Sequence, residues 1–198
     1  MQSSAGWRGS VAAAAISGLA GASAGVSLAG PYNFAASVFL AGLMGTIAFV
    51  DFREFRVPDA LNLPAALGGL IVVALEARWL AIDVLPALGS ALISVLVCGG
   101  IFLVLREVFF RLRGYEGLGF GDVKLAATGG IWLGWQDLPL AVLVSAIGAI
   151  ILVAVASVAG RGAWSRERKI PFATFLAPAI WCCWVYVRTV SYWPEIVR

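Results

Sequence analysis

Apolar residues run along this chain in long, nearly unbroken stretches, with the charged residues gathered between them. A helix that crosses a bilayer needs about 20 mostly apolar residues, within a range of about 17–25. Seven stretches reach or approach that length: residues 11–30, 33–50, 60–75, 84–105, 118–134, 138–160 and 171–190. No stretch alternates with the period of two that marks barrel strands. The pattern predicts an all-α, polytopic transmembrane helix bundle of about 6–7 helices. It divides the chain into an N-terminal helix over residues 1–32 and a membrane domain over 33–198. The first stretch is rich in Ala, Gly and Ser, which suits close helix–helix contact in lipid. It also fits a signal peptide, with Arg8 in the charged region and small residues at 22–24 as a cleavage site.

Composition supports the membrane reading and narrows the chemistry. Of the 198 residues, 61% are hydrophobic and 13% charged, against about 45–50% and about 25% in soluble domains. Mean hydropathy is +0.94. These values exclude a disordered chain, a nucleic-acid-binding surface protein and most soluble enzymes, and make membrane lipid the expected surroundings. There is no histidine, which removes Ser–His and Cys–His catalysis and histidine metal ligands. Cys98, Cys182 and Cys183 all lie in apolar runs and form no CxxC pair, so they are expected to pack as small residues. Neither a metal nor a cofactor is expected.

The distribution of charge orients the bundle. With the N-terminus inside, the inner segments hold Arg8, Arg53, Arg56, Arg106, Arg111, Arg113, Lys124, Arg161, Arg166, Arg168 and Lys169, 11 of the 14 basic residues. Only Arg78, Arg188 and Arg198 fall outside. Basic residues concentrate in cytoplasmic loops, so the reverse orientation would violate the rule along the whole chain.

Two acidic residues then stand out, because carboxyls near a span are costly and default to function. Asp51 ends the second stretch, and Asp122 opens the fifth within Glu116-Gly-Leu-Gly119-Phe-Gly121-Asp122-Val-Lys124-Leu125. The chain crosses the bilayer twice between them, which places both at the cytoplasmic face. Two carboxyls sharing one proton supply the base that activates water and the acid that protonates a leaving nitrogen. Gly117, Gly119 and Gly121 permit positive φ and close backbone approach, and at least one of Gly119 and Gly121 is expected to need it or to touch the substrate backbone. Gly114, outside the motif, is expected to tolerate substitution. The helix N-terminus favours an ionised Asp122. Alternatively, Asp51 is a helix-end charge and Asp122 a helix cap. On these residues alone, aspartyl hydrolysis and a proton-coupled transporter both stay open.

Three stretches resemble the type IV prepilin peptidase family, a group of membrane GxGD-type aspartyl proteases. The first runs from Asp51 through Pro58-Asp59 to Leu61-Asn62-Leu63-Pro64, with Asn62 where many members have Thr. The second is the run from Glu116 to Leu125, continuing to Trp132-Leu-Gly-Trp135. The third is Ile170-Pro171-Phe172-Ala173-Thr174-Phe175-Leu176-Ala177, in which Thr174 replaces the usual Pro. The resemblance implies a multi-pass bacterial inner-membrane enzyme with its active site at the cytoplasmic face. The implied partner is a prepilin of type IV or Flp type, cut after a glycine of its N-terminal leader. The roles of general base and general acid are implied to be shared between Asp51 and Asp122, in either order. Pro58 is expected to end the loop, since it disfavours helix at Val57, and Asp59 to cap the next helix. Lys124 is expected to anchor the positive-inside face or to steer an anionic group, and Glu116 to sit as a solvated charge or to bind a basic leader residue. Only 50 residues precede Asp51, and they hold no cysteine. That likens the chain to the short, peptidase-only subgroup of tight-adherence pili. Archaeal preflagellin peptidases share both aspartate motifs and stand as the alternative.

Overall fold

The computed structural model of the chain describes residues 31–114, 117–158 and 171–196. The first expected span at 11–30, its signal-peptide alternative, Glu116, and the basic residues Arg8, Arg161, Arg166, Arg168, Lys169 and Arg198 lie outside the described residues. Five helices follow one another: α1 Pro31–Glu54, α2 Asp59–Trp79, α3 Val84–Arg113, α4 Phe120–Val158 and α5 Ala173–Ile196. No strand occurs among the described residues. Helices α1 to α4 are long and apolar enough to cross a membrane. Leu85 (81% exposed) and Leu96 (73% exposed) stand on the outer surface, as expected where the surrounding solvent is hydrocarbon.

The expected count of 6–7 spans is therefore met only in its coarser part: an all-helical chain with four qualifying helices among those described. One expected span is outside the described residues, and the fifth and sixth (118–134 and 138–160) are joined in α4. Gly134 interrupts α4 with φ 76° and ψ 167°, values foreign to a right-handed helix. A Cβ added at Gly129 would lie 2.8 Å from Cδ1 of Leu138. In a straight helix those positions stand about 13.5 Å apart along the axis. The chain turns back at Gly134, as the positive φ of a glycine permits.

The core is centred on α5. Leu40, Met44 and Ile47 of α1, Leu125 of α4, and Leu176, Ile180 and Trp184 of α5 are fully buried. Trp184 meets Trp132 of α4 edge to face, with ring centroids 5.6 Å apart. Trp132 donates its indole N–H to the carbonyl of Ala65 in α2 at 2.9 Å. Helices α1 and α4 share no packed face of their own; α2 and α5 lie between them. At the end of the bundle away from Asp51, Arg188 of α5 pairs with both carboxylate oxygens of Glu76 in α2 and stacks over the Trp184 ring. Cys98 and Cys183 are buried, as expected, whereas Cys182 is exposed.

Small residues let α3 and α4 approach closely. A Cβ at Gly130 would lie 2.8 Å from the carbonyl oxygen of Ser94 and 3.0 Å from Sγ of Cys98. Among the described residues nothing lies within 4 Å of the same position at Gly100. Overpacking of this kind costs about 1–3 kcal/mol, while alanine for glycine in an open helix position gains up to about 1 kcal/mol. Gly130→Ala should lower the thermal unfolding temperature of the detergent-purified protein, and Gly100→Ala should leave it unchanged or raise it. Equal melting curves for the two variants would contradict this packing.

Candidate active site

Asp51 lies in the last turn of α1. Its carbonyl accepts the N–H of Phe55 at 2.8 Å, and Phe55 leaves the helix with φ 53°. The chain then runs extended through Pro58, the N-cap residue of α2 at φ −70° and ψ 130°. Pro58 thus ends the loop as expected. Asp59 does not cap α2: it is the first residue of the helix, and the cap position carries no side-chain hydrogen bond. Its carboxylate instead receives Lys124 Nζ of α4, at 2.7 and 3.0 Å. The reason is geometric, since a cap must precede the first helical residue to reach the free N–H groups behind it. Lys124 also sits over the Phe120 ring, 5.2 Å from its centroid. The pair is exposed, so its worth lies in register more than energy, about 0–1 kcal/mol.

Asp122 is the third residue of α4. Gly119 N–H donates to its Oδ2 at 3.2 Å, while its own N–H donates to the Gly119 carbonyl at 3.1 Å. This is the backbone-facing half of a capping box, built from an acidic residue three positions after the cap. Neither Gly119 nor Gly121 has a positive φ; the described glycines that do are Gly114 and Gly134. Of the two expected roles, positive φ is therefore not used at either motif glycine. Gly121 serves close approach instead: a Cβ there would lie 3.0 Å from Val57 Cβ and 3.2 Å from the Val57 backbone nitrogen. The glycine seats the start of α4 against the loop that follows Asp51. Gly117 likewise faces the Phe109 ring. Gly114, expected to be tolerant, ends α3 at φ 73° and closes it by donating its N–H to the Phe110 carbonyl, so a branched residue there is strained.

The two carboxyls meet at the first turn of α5. Asp51 is 5% exposed and Asp122 8% exposed. Thr174 donates to Oδ2 of Asp51 twice, from its N–H at 2.7 Å and from Oγ1 at 3.0 Å. The neighbouring N–H of Ala173 donates to Asp122. Helix first turns leave such N–H groups without intrahelical partners and carry partial positive charge. Here each is matched by a buried carboxyl, and the two carboxyls interact electrostatically with one another. A proline at 174 would lack the N–H that Thr174 gives.

The structure therefore gathers Asp51, Asp122, Gly119, Gly121, Pro58, Asp59 and Lys124 at one end of the bundle, with Asp59 and Lys124 at the exposed rim. Sequence reasoning assigned no role to Ala173 or Thr174. The available signal was Pro171 followed by Thr174 at the start of an apolar run, the ordinary mark of a helix start. Among the described residues no group of three His, Cys, Asp or Glu side chains gathers as a metal site would. The arrangement suits a pair of carboxyls that exchange one proton.

Comparison with known proteins points the same way. The model of the type IV leader peptidase family matches residues 38–154, a span that includes both aspartates. The prepilin leader peptidase/N-methyltransferase of Aeromonas hydrophila is 30% identical over 85% of this chain and 55% of its own length. The protein of the same description from Burkholderia pseudomallei (strain 1026b) is 35% identical over 79% of this chain and 48% of its own. That from Escherichia coli (strain K12) is 38% identical over 53% and 44%. The chain thus spans about half the length of the curated relatives it matches. No solved structure matches it. With the family model covering more than half of its residues and both aspartates inside the match, the chain belongs to the type IV leader peptidase family.

Proposed function

We propose that this protein is an aspartyl endopeptidase that removes the N-terminal leader of prepilins, with Asp51 and Asp122 as its catalytic pair. The observation that carries the reading is the seating of two buried carboxyls from separate helices on adjacent N–H groups of α5. One carboxylate takes a proton from water, and the resulting hydroxide attacks the scissile carbonyl. The other carboxyl gives its proton to the leaving nitrogen as the C–N bond breaks. The pair ends with one proton, as it began, on the opposite partner. Like charges held this close favour the singly protonated state, which is the state the reaction needs. Burial keeps bulk water from screening either group. The proposal concerns the leader-peptidase half of the relatives' description.

The same reading assigns the membrane arrangement. It counts six crossings, with the turn at Gly134 dividing α4: α1, α2, α3, the two parts of α4, and α5. The aspartates then lie at the cytoplasmic face of the inner membrane, the side where Arg53, Arg56, Arg106, Arg111 and Arg113 cluster. Reporter fusions after Arg113 should read cytoplasmic and a fusion after Arg78 external. Identical readings would contradict a common face for the two aspartates.

Positioned acid–base groups contribute about 10²–10⁴ in rate. Asp51→Asn and Asp122→Asn should therefore each lose at least a hundredfold in leader cleavage when co-expressed with a candidate prepilin, at matched membrane levels. Near-normal processing by either variant would sink the pair.

The glycines separate site geometry from stability. Gly121→Ala pushes Val57 away and shifts the base of the Asp122 turn. A displacement of about 1 Å at a catalytic group can cost around a hundredfold in rate; the few tenths of an ångström needed here should lower activity per molecule by a smaller factor. Gly114→Val carries a left-handed penalty of about 1–2 kcal/mol and should lower abundance or melting temperature while sparing activity per molecule. Assaying both purified variants against wild type checks the contrast, and the reverse outcome would contradict it.

A further inference from the structure

The hydroxyl of Thr174 is bracketed by two oxygen atoms. Oδ2 of Asp51 lies 3.0 Å away and the carbonyl oxygen of Ala48, one turn earlier in α1, lies 3.3 Å away. A hydroxyl has one proton to give and lone pairs to accept with. It cannot donate to both oxygens at once, so its rotor has two satisfied positions. When Asp51 is ionised, the hydroxyl donates to Oδ2 beside the Thr174 N–H. When Asp51 holds a proton on Oδ2, the carboxyl donates to Oγ1 and the hydroxyl turns its own proton to the Ala48 carbonyl. Each position leaves the buried carboxyl hydrogen-bonded. An apolar side chain of the same shape would leave it short of one partner.

This double fit matters only to a group that changes protonation in place. Asp51 also receives the Thr174 N–H at 2.7 Å, which holds the carboxyl by a backbone group that does not rotate. Among the described residues no other hydrogen bond to the Asp51 carboxyl is made. Asp122 is held differently: among the described residues its donors are the backbone N–H groups of Gly119 and Ala173.

We propose that Thr174 is a positioning residue of the aspartate pair: its N–H fixes Oδ2 of Asp51, and its hydroxyl switches between Asp51 and the Ala48 carbonyl as Asp51 gains and loses its proton during turnover. The assignment rests on the peptidase reading given above. It makes the Asp51 side the one at which a side chain adapts to the moving proton, and the Asp122 side a fixed backbone cradle.

The test uses the full-length purified protein and a purified prepilin, with kcat and KM measured separately for wild type, Thr174→Ser, Thr174→Val and Thr174→Ala. Val keeps the shape and the backbone N–H but removes the hydroxyl. Its kcat should fall by on the order of tenfold to a hundredfold, the range of one hydrogen bond to a charged group, with KM within about twofold of wild type. Ala should match Val, and Ser should recover most of kcat because it restores the hydroxyl. A merely packing role predicts the opposite order, with Val near wild type and Ser and Ala impaired. That order, or a Val kcat within twofold of wild type, would overturn the proposal. Wild-type enzyme that cleaves no prepilin would overturn the peptidase reading itself, and so is told apart from failure of the Thr174 assignment alone.

Discussion

The first turn of α5 presents two consecutive backbone N–H groups that its own helix cannot use, and each is taken by a carboxyl from a different helix. Most of the architecture around the site follows from that constraint. Helices α1 and α4 have no packed face in common, so Asp51 and Asp122 cannot be brought together by direct contact of their parent helices. α5 packs on both and begins where both aspartates need donors. A carboxyl buried without partners would be strongly disfavoured, and a helix end buried without acceptors equally so. Each defect resolves the other.

The opposite side of the site is closed by the loop after Asp51. Pro58 holds that loop extended, Val57 packs where Gly121 lacks a side chain, and Asp59 meets Lys124 across the start of α4. The same few residues therefore set both the entry of α2 and the entry of α4. Farther along the bundle the packing of Trp184 on Trp132 and the Arg188–Glu76 pair tie α5 to α4 and α2. Rotation of α5 is restrained at both ends. In the proposed reaction that restraint holds both carboxyls at the first turn of α5.

Much of this was legible in the order of residues. Apolar run length gave the helices, because in hydrocarbon the backbone must satisfy itself within each segment. The two aspartates were visible because a carboxyl beside an apolar run is costly enough to stand out. What stayed hidden depends on contacts between distant positions. The Asp59–Lys124 pair joins residues 65 apart, and nothing local distinguishes it from a helix cap. The motif glycine at 121 reads in sequence as a position of positive φ or of close approach, and its distant neighbour Val57 decides for close approach. Gly114 looked dispensable because its φ of 73° belongs to the end of α3 and not to the motif. The donors of Ala173 and Thr174 are backbone groups, which no residue type announces.

The start of α5 lies against both aspartates at once. Cysteine cross-linking in native membranes checks this contact, in a chain whose Cys98, Cys182 and Cys183 are replaced by alanine. Asp51→Cys paired with Thr174→Cys, and Asp122→Cys paired with Ala173→Cys, should both link in high yield with the shortest bifunctional methanethiosulfonate, as read by mass spectrometry of the digested protein. Asp51→Cys paired with Arg188→Cys, at the far end of α5, serves as the distant control and should not link. Linking of only one of the two near pairs, or equal yields for near and distant pairs, would contradict a site assembled on the first turn of α5.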